Sequence, residues 1–200
     1  MNKIFKSIVR SAWILAVFAF VWALAVALSN HLTKEQIKEN EKQFLLQKLN
    51  KIIPANSYDN KLAEDTTLIK PHSLLGTKTE TTAYFARKNN RVITTVLTAI
   101  APDGYNGEIH LLVAVKQDYS LSGVRVVKHR ETVGLADGIE DTKSDWILGF
   151  DNKTLNNDWR VKKDGGEFDQ FTGATITPRA IVKAIKNALI YAQQHKELFQ

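Results

Sequence analysis

The most strongly apolar stretch of the chain lies near its N-terminus. An uncharged run extends over residues 11–28, and three basic residues precede it: Lys3, Lys6 and Arg10. A helix rises about 1.5 Å per residue, so this run spans roughly 27 Å, close to the hydrocarbon thickness of a bilayer. Basic residues before a span favour a cytoplasmic N-terminus. We therefore expect a cytoplasmic segment over residues 1–10, a transmembrane helix over residues 11–29, and the later residues outside the cytoplasm.

A cleaved signal peptide is the alternative interpretation of this run. Ala25-Val26-Ala27 resembles an Ala-x-Ala cleavage site. The apolar core of a secretory signal is usually shorter, about 7–15 residues, whereas this run reaches spanning length. The length favours an anchor that is retained.

The next pattern is helical, with sparse apolar positions. Thr33-Lys34-Glu35-Gln36 resembles a capping box, which predicts a helix start, and Pro54 ends the pattern. Residues 56–65 are polar and loop-like. We expect a helical stalk and linker over residues 30–65, which either continues the membrane helix or packs onto the domain that follows.

Short apolar runs in the middle of the chain predict antiparallel strands. Residues 82–101 read as two strands joined by Lys88-Asn89-Asn90, because asparagine tolerates the positive φ of a tight hairpin. Pro102-Asp103-Gly104 predicts a turn. Residues 109–115 are apolar on both faces and predict a central strand. Residues 124–129 alternate in part and predict a strand with one wet face.

A regular helical pattern follows Thr177-Pro178. Threonine is a good N-cap, and proline is favoured at the first helical position. Apolar residues then recur on one face with a period near 3.6: Ile181, Val182, Ile185, Ala188, Leu189 and Ala192. The order of anchor, helix, strands and C-terminal helix predicts an α+β fold, with an antiparallel sheet flanked by helices in a domain over residues 66–200.

Composition restricts the chemistry. The chain has no cysteine, which excludes disulfides and thiolate ligands for metals or haem. Its net charge is +6, but basic and acidic residues are interspersed, which favours a membrane surface over nucleic acid as partner. Asp137, Glu140, Asp141 and Asp145 lack EF-hand spacing, so we expect a solvated helix start and no metal site. We expect His72 to be a surface residue.

Residues 169–175, which read Asp-Gln-Phe-Thr-Gly-Ala-Thr, carry the candidate chemistry. Thr175 sits just before the predicted helix, where unpaired N–H groups and the helix dipole suit a phosphate. Gly173 and Ala174 leave room for a bulky group near the backbone. No Gly-Lys-Ser/Thr follows the glycine, so the segment is not a nucleotide P-loop. On these residues alone, an ordinary capped helix after a glycine turn is the alternative.

Residues 169–175 resemble the motif Asp-x-x-(Ser/Thr)-Gly-Ala-Thr of the FMN-binding domain family. This family includes the G subunit of the Rnf (Rsx) electron-transport complex and the C subunit of the sodium-pumping NADH:quinone oxidoreductase. Residues 131–135 (Glu-Thr-Val-Gly-Leu) resemble the family's Glu-Thr-Pro-Gly-Leu-Gly, with Val133 and Ala136 as departures that affect the local turn. The anchor and the chain length extend the resemblance to the G subunit over nearly the whole chain.

The resemblance implies covalently bound FMN, attached to Thr175 through a phosphoester bond. A separate flavin transferase would supply FMN from FAD with a metal ion, and Asp169 would matter for recognition by that enzyme. The other implied site residues are Thr172, Gly173 and Ala174 in the motif, Glu131, Thr132, Gly134 and Leu135 against the flavin ring, and Tyr105 in a glycine-flanked loop near it. A plain hairpin turn at Tyr105 and a plain strand end at Glu131 are the alternatives.

The resemblance also implies a setting. The partners would be integral-membrane and redox subunits of an Rnf-type complex in the bacterial inner membrane, with the C-terminal domain in the periplasm. That complex moves electrons between ferredoxin and NAD and pumps ions, and this subunit would carry electrons without catalysing a reaction alone. Two rival interpretations are the C subunit of the sodium pump, for which the chain is somewhat short, and a cofactor-free membrane-tethered domain.

Overall fold

A computed structural model describes residues 3–199 of the chain. It contains two compact units, the first ending at Phe44 and the second beginning at Leu45. Helix α1 (Lys3–Ile52) supplies the first unit, and its last residues, from Leu45 on, belong to the second.

Helix α1 is long and apolar enough to cross a membrane. Its most apolar window has a mean hydropathy of 2.3, and none of that window is buried within the protein. It is the one such helix among residues 3–199. All side chains from residue 5 to residue 44 are exposed. Length and composition therefore fit a membrane span.

The expected helix start at Thr33 is wrong. Thr33 lies inside α1, and its hydroxyl donates a hydrogen bond to the carbonyl of Ser29 at 2.8 Å instead of capping a helix. Within a helix, a threonine hydroxyl can donate its hydrogen bond to a backbone carbonyl of the preceding turn. A capping-box sequence therefore does not by itself interrupt a helix. The helix ends at Ile52, just before Pro54, as expected.

Five antiparallel strands form one sheet in which neighbours in sequence are neighbours in space. Their bounds are β1 (Thr66–Ile69), β2 (Thr81–Lys88), β3 (Arg91–Gly104), β4 (Gly107–Lys116) and β5 (Leu121–Lys128). Helix α2 (Ile176–Gln194) follows after a long stretch of short 3-10 turns and loops. The predicted α+β class, with an antiparallel sheet and helices, is confirmed.

Two predicted turns have different outcomes. Asn89 and Asn90 have φ values of 50° and 62° and join β2 to β3, so the asparagine hairpin is confirmed. The predicted turn at Pro102-Asp103-Gly104 is wrong, because β3 continues to Gly104 through an irregularity after Ala101. A bulge lets a proline remain in a strand. The reversal occurs at Tyr105 and Asn106.

The sheet is buried on both faces. Leu111 and Val113 of β4 belong to the core that α2 covers, whereas Leu112 and Ala114 belong to a second cluster. Alternate residues of a strand point to opposite faces, so β4 is the buried central strand that its sequence predicts. The last residues of α1 help to form the second cluster: Leu49, Ile52 and Ile53. Each such fully buried Leu or Ile stabilises the fold by roughly 2 kcal/mol.

The expected wet face of β5 is wrong. Val124, Arg125 and Val126 are all buried, and the Arg125 side chain is only 8% exposed. Its guanidinium donates to the carbonyls of Val124 at 2.7 Å and Lys51 at 3.0 Å. The end of α1 covers this face, and the arginine is tolerated there because backbone carbonyls accept its protons.

Two further expectations are corrected. Asp141 is not solvated, because its side chain is 5% exposed and contacts Lys48 at 2.5 Å and Lys51 at 2.7 Å. His72 is not a lone surface residue, since its ring centroid lies 4.9 Å from that of Tyr191 and 5.6 Å from that of His195. Both side chains find partners that are remote in the sequence.

Candidate functional site

A cavity of about 240 Å³ lies where three segments meet. Tyr105 in the β3–β4 turn contributes one wall, and the start of α2 contributes another. The third wall is the pocket loop, defined here as residues 131–136, which begins three residues after the end of β5. The lining residues are Tyr105, Glu131, Thr132, Leu135, Ala136, Gly173, Ala174, Thr175, Ile176 and Thr177.

Glu131 holds the three segments together. Its side chain is buried, with one carboxylate oxygen accepting from the backbone N–H of Asn106 at 2.9 Å and the other from the hydroxyl of Thr177. A second bond runs from the Asn106 side chain to the Thr132 hydroxyl at 3.2 Å. Charge-assisted hydrogen bonds are about twice as strong as neutral ones, so the carboxylate fixes the cavity geometry.

Gly104 shows how closely the β3–β4 turn approaches this carboxylate. A Cβ at Gly104 would lie 2.2 Å from the carbonyl oxygen of Gly107 and 3.1 Å from Oε1 of Glu131. Real Cβ atoms do not approach backbone oxygens so closely, so only glycine fits at this position.

Thr175 occupies the N-cap position of α2, with φ −87° and ψ −21°. Within residues 3–199, its side chain makes no capping hydrogen bond. Thr175 lines the cavity next to the first turn of α2, where backbone N–H groups have no partner within the helix. This arrangement matches the expectation that Thr175 directly precedes a helix.

The expected N-cap role of Thr177 is wrong. Thr177 lies in the first turn of α2 and is completely buried. Its hydroxyl is engaged with Glu131, because the helix begins two residues earlier than the Thr-Pro pattern predicts. Pro178 remains within the first turn, where its missing N–H costs nothing.

The motif loop, defined here as residues 169–175, reaches the cavity only with its last three residues. Gly173 has φ 80°, and no described residue apart from its neighbours has an atom within 4 Å of the position that a Cβ would take. Ala174 donates its N–H to the carbonyl of Phe171 at 3.1 Å, which closes a tight turn. The backbone at Gly173 is thus open to a large group.

Asp169 and Thr172 lie outside the cavity lining. The Asp169 carboxylate, 66% exposed, forms an ion pair with Lys162 at 2.6 Å. Its carbonyl accepts a hydrogen bond from the indole N–H of Trp146 at 2.8 Å. Thr172 is exposed on the turn. Both residues are placed where another protein can reach them.

The pocket loop turns on Gly134, which has φ 80°. Leu135 and Ala136 donate their N–H groups to the Thr132 carbonyl at 3.2 and 3.0 Å, and Gly134 donates to Asp137 Oδ1 at 2.9 Å. Val133 is 81% exposed, so the departure from proline at this position introduces no clash. Gly134 shapes the loop without lining the cavity.

The structure brings seven of the ten expected site residues to one cavity: Tyr105, Glu131, Thr132, Leu135, Gly173, Ala174 and Thr175. Sequence reasoning missed Asn106, Ala136, Ile176 and Thr177. Of these four residues, only Thr177 could have been identified from the sequence, because it has a hydroxyl next to the motif. We had assigned that hydroxyl to the N-cap of the helix.

The cavity suits a phosphorylated aromatic group. Ala136 and Leu135 give apolar walls, Tyr105 gives an aromatic side chain that is 66% exposed, and Gly173 leaves the backbone open. A helix N-terminus stabilises a phosphate through its N–H groups and dipole. Among residues 3–199, no group of three or more His, Cys, Asp or Glu side chains could hold a metal ion. The helix N-terminus, the open backbone at Gly173 and the apolar and aromatic walls fit FMN.

Comparison with known proteins supports this interpretation of the site. The family model described as FMN-binding domain matches residues 104–190, and one described as RnfG N-terminal region matches residues 1–52. The G subunit of the ion-translocating oxidoreductase complex from Vibrio cholerae is 47% identical over 192 residues, covering 94% of this chain and 91% of that protein. The chain belongs to this family of G subunits.

Other members of the family are similar over the same length. The G subunit from Pseudoalteromonas atlantica is 44% identical over 194 residues, 95% of this chain and 90% of that relative. The one from Aliivibrio fischeri is 43% identical over 195 residues, 96% and 93% of the two chains. The resemblance to the Rnf G subunit is confirmed, and FMN is the cofactor that the domain family indicates.

Proposed function

We propose that this chain is the electron-carrier subunit of a membrane complex that couples electron transfer to ion translocation, and that it carries FMN on Thr175 through a phosphoester bond. The observation that carries the proposal is Thr175, which lines the cavity of an FMN-binding domain and makes no side-chain capping bond within residues 3–199. The family name supports the complex, since the relatives are subunits of an ion-translocating oxidoreductase.

The residues around the cavity would hold FMN at both its phosphate and its flavin ring. The N-terminus of α2 receives the phosphate at Thr175, and Gly173 allows close approach. Leu135, Thr132 and Tyr105 line the space beyond, where a flavin ring fits. Bound flavin supplies one- and two-electron chemistry, so it links donors and acceptors of different kinds. Covalent attachment prevents its loss.

Activation of Thr175 falls to a separate flavin transferase. A threonine hydroxyl is a weak nucleophile without a base. Glu131 is engaged with Asn106 and Thr177, and Asp169 pairs with Lys162. In the transfer, Thr175 Oγ forms a bond to the FMN phosphorus of FAD, the pyrophosphate bond breaks, AMP leaves, and the hydroxyl proton passes to a base of the transferase. The exposed Asp169 is a recognition point for that enzyme.

The location follows from α1. We propose a single-pass inner-membrane protein with a cytoplasmic N-terminus and its FMN-binding domain in the periplasm, because basic residues precede the span. The proposal keeps the expected division into a cytoplasmic segment (residues 1–10), a transmembrane helix (11–29), a stalk and linker (30–65) and the FMN-binding domain (66–200). Its partners are the other membrane and redox subunits of the complex, which exchange electrons between ferredoxin and NAD, and this subunit is not catalytic alone.

Intact mass under denaturing conditions tests the attachment. The full chain is purified from a host that contains the flavin transferase, alongside Thr175→Ala and Thr79→Ala, which removes an exposed hydroxyl outside the motif and the cavity lining. We expect wild type and Thr79→Ala to gain the mass of FMN less water on the peptide containing Thr175, and Thr175→Ala to remain unmodified. The unfolding free energy of Thr175→Ala should stay within about 1 kcal/mol of wild type, since no capping bond is lost. Covalent flavin on Thr175→Ala would reject the proposal.

A further inference from the structure

The motif loop is held from one side by a separate stretch, here called the bracing segment and defined as residues 137–146. Trp146 makes two contacts with the loop. Its indole N–H donates to the Asp169 carbonyl at 2.8 Å, and its ring centroid lies 5.3 Å from that of Phe171. These contacts fix the start and the middle of the loop, whose far end carries Thr175.

Gly138 gives the bracing segment a third contact with the loop. A Cβ at Gly138 would lie 2.8 Å from Cε1 of Phe171, so the phenyl ring packs directly on the glycine backbone. Phe171 in turn accepts the N–H of Ala174 on its carbonyl. The packing at Gly138 therefore sets the position of the turn that contains Gly173.

The bracing segment is itself anchored to the domain. Asp141 makes ion pairs with Lys48 and Lys51 on the last turns of α1. Ser144 donates its hydroxyl to the Gly138 carbonyl at 2.5 Å and accepts the Trp146 N–H at 3.2 Å. Trp146 is thus held through its backbone N–H as well as through its indole ring, so it can support the loop rigidly.

We propose that Trp146 is a positioning residue for flavin attachment, because it holds the motif loop in the conformation that presents Thr175 to the flavin transferase. The inference rests on the proposed function, and the bond-forming step is the one described above. The indole N–H acts through the backbone of Asp169 and touches neither flavin nor the reacting oxygen.

Trp159 provides a matched comparison within the same aromatic cluster. Its indole N–H donates to the Thr154 carbonyl at 2.9 Å, and its ring packs against Phe168 with a centroid distance of 5.1 Å. Replacing either tryptophan by phenylalanine removes one indole–carbonyl bond and keeps an aromatic ring. Only Trp146→Phe removes a bond to the motif loop.

The first measurement is the initial rate of flavin transfer to the full chain in detergent, with FAD, Mg²⁺ and purified transferase. If only a fraction of the chains holds the loop in the conformation that the transferase binds, the apparent affinity of the transferase for the chain falls in proportion to that fraction. The rate of flavin transfer at a saturating concentration of chain stays the same. Trp146→Phe should raise KM for the chain, by at most about tenfold, which is the limit that the loss of one hydrogen bond sets, and leave kcat unchanged. Trp159→Phe should match wild type in both. Equal KM values for the two variants would overturn the inference.

The second measurement is hydrogen exchange on the unmodified chain, which needs no flavin. The amide of Ala174 is hydrogen-bonded to Phe171 and reports closure of the loop. In Trp146→Phe, peptides covering residues 169–175 should exchange about two- to tenfold faster than in Trp159→Phe. If these peptides exchanged in Trp146→Phe at the wild-type rate, the positioning role of Trp146 would be overturned. A wild-type chain that never gains flavin would instead reject the proposed function, leaving this readout intact.

Discussion

The hydroxyl of Thr177 donates a hydrogen bond to Oε2 of Glu131, a residue 46 positions earlier in the chain. Oε1 of the same carboxylate accepts the N–H of Asn106 at 2.9 Å. One buried side chain thus joins the first turn of α2, the pocket loop and the β3–β4 turn. The shape of the cavity depends on this carboxylate, because it bonds segments that lie far apart in the sequence.

Thr177→Val should show what this bond contributes. Valine matches threonine in shape but leaves Oε2 of Glu131 buried without its donor, which costs about 1–3 kcal/mol. We expect the free energy of unfolding by urea, followed by tryptophan fluorescence of the full chain in detergent, to fall by that amount. Thr177→Ser keeps the hydroxyl and should lose less than half as much. Equal losses in the two variants would show that methyl packing, and not the hydrogen bond, matters at this site.

Gly173→Ala should destabilise the protein although there is space for the methyl group. The strain arises from φ 80°, where an L-residue pays about 1–2 kcal/mol. Gly149 provides the control, since a Cβ there meets open space among the described residues and its φ is not positive. Gly149→Ala should be neutral within about 0.5 kcal/mol in the same unfolding assay. A neutral Gly173→Ala would mean that the loop relaxes to another conformation.

Asp141 should give the protein an acid-sensitive component of stability. Burial alone would raise the pKa of Asp141, but hydrogen bonds from Lys48 and Lys51 outweigh it and lower the pKa from 3.8 to about 2. Because the folded-state pKa is depressed, the carboxylate stabilises the fold above pH 3.8. That contribution is lost as the pH falls from 3.8 towards 2.

The test is the pH dependence of unfolding for wild type, Asp141→Asn and Asp145→Asn. Asp141→Asn breaks the ion pairs of this buried carboxylate with Lys48 and Lys51, so it should lose roughly 3 kcal/mol at neutral pH and show a shallower decline below pH 3.8. Asp145 is exposed and its variant should follow wild type. A wild-type slope in Asp141→Asn would contradict the assignment of the acid transition to this ion pair.

The proposed orientation predicts the behaviour of C-terminal reporters. An alkaline phosphatase fusion should be active and a green fluorescent protein fusion dark, because the domain lies in the periplasm when basic residues precede the span. Replacing Lys6 and Arg10 by glutamine should lower phosphatase activity per fusion protein. The opposite reporter pattern in the unaltered chain would place the domain in the cytoplasm.

Local signals predicted one hairpin, the central strand and the C-terminal helix correctly, but misplaced a helix start at Thr33, a turn at residues 102–104 and the N-cap of α2. The Asn89-Asn90 pair specifies a hairpin through its positive φ values, and the apolar face of α2 matches its buried face. The continuous apolar run of β4 correctly predicted a strand covered on both sides. These features depend on residues close together in sequence, where periodicity and turn chemistry operate.

Features that depend on remote partners were not predicted. Arg125 is buried in β5 because the end of α1 supplies the backbone carbonyl of Lys51 as an acceptor, 74 residues away. The side chain of Asp141 is buried because α1 supplies a donor, the ammonium group of Lys48, which lies 93 residues earlier. Within the candidate site, Glu131 and Thr175 were expected from a family motif, but the contact of Glu131 with Thr177 requires the fold itself.

The meander of the sheet has a consequence for the order of events after synthesis. Each strand after β1 pairs with the strand before it, so the sheet can form progressively from β1 to β5. Thr175 and helix α2, which contains Thr177, follow all five strands in the chain. The cavity needs this last part of the chain, so attachment of flavin at Thr175, as proposed, would require that all five strands have already been synthesised.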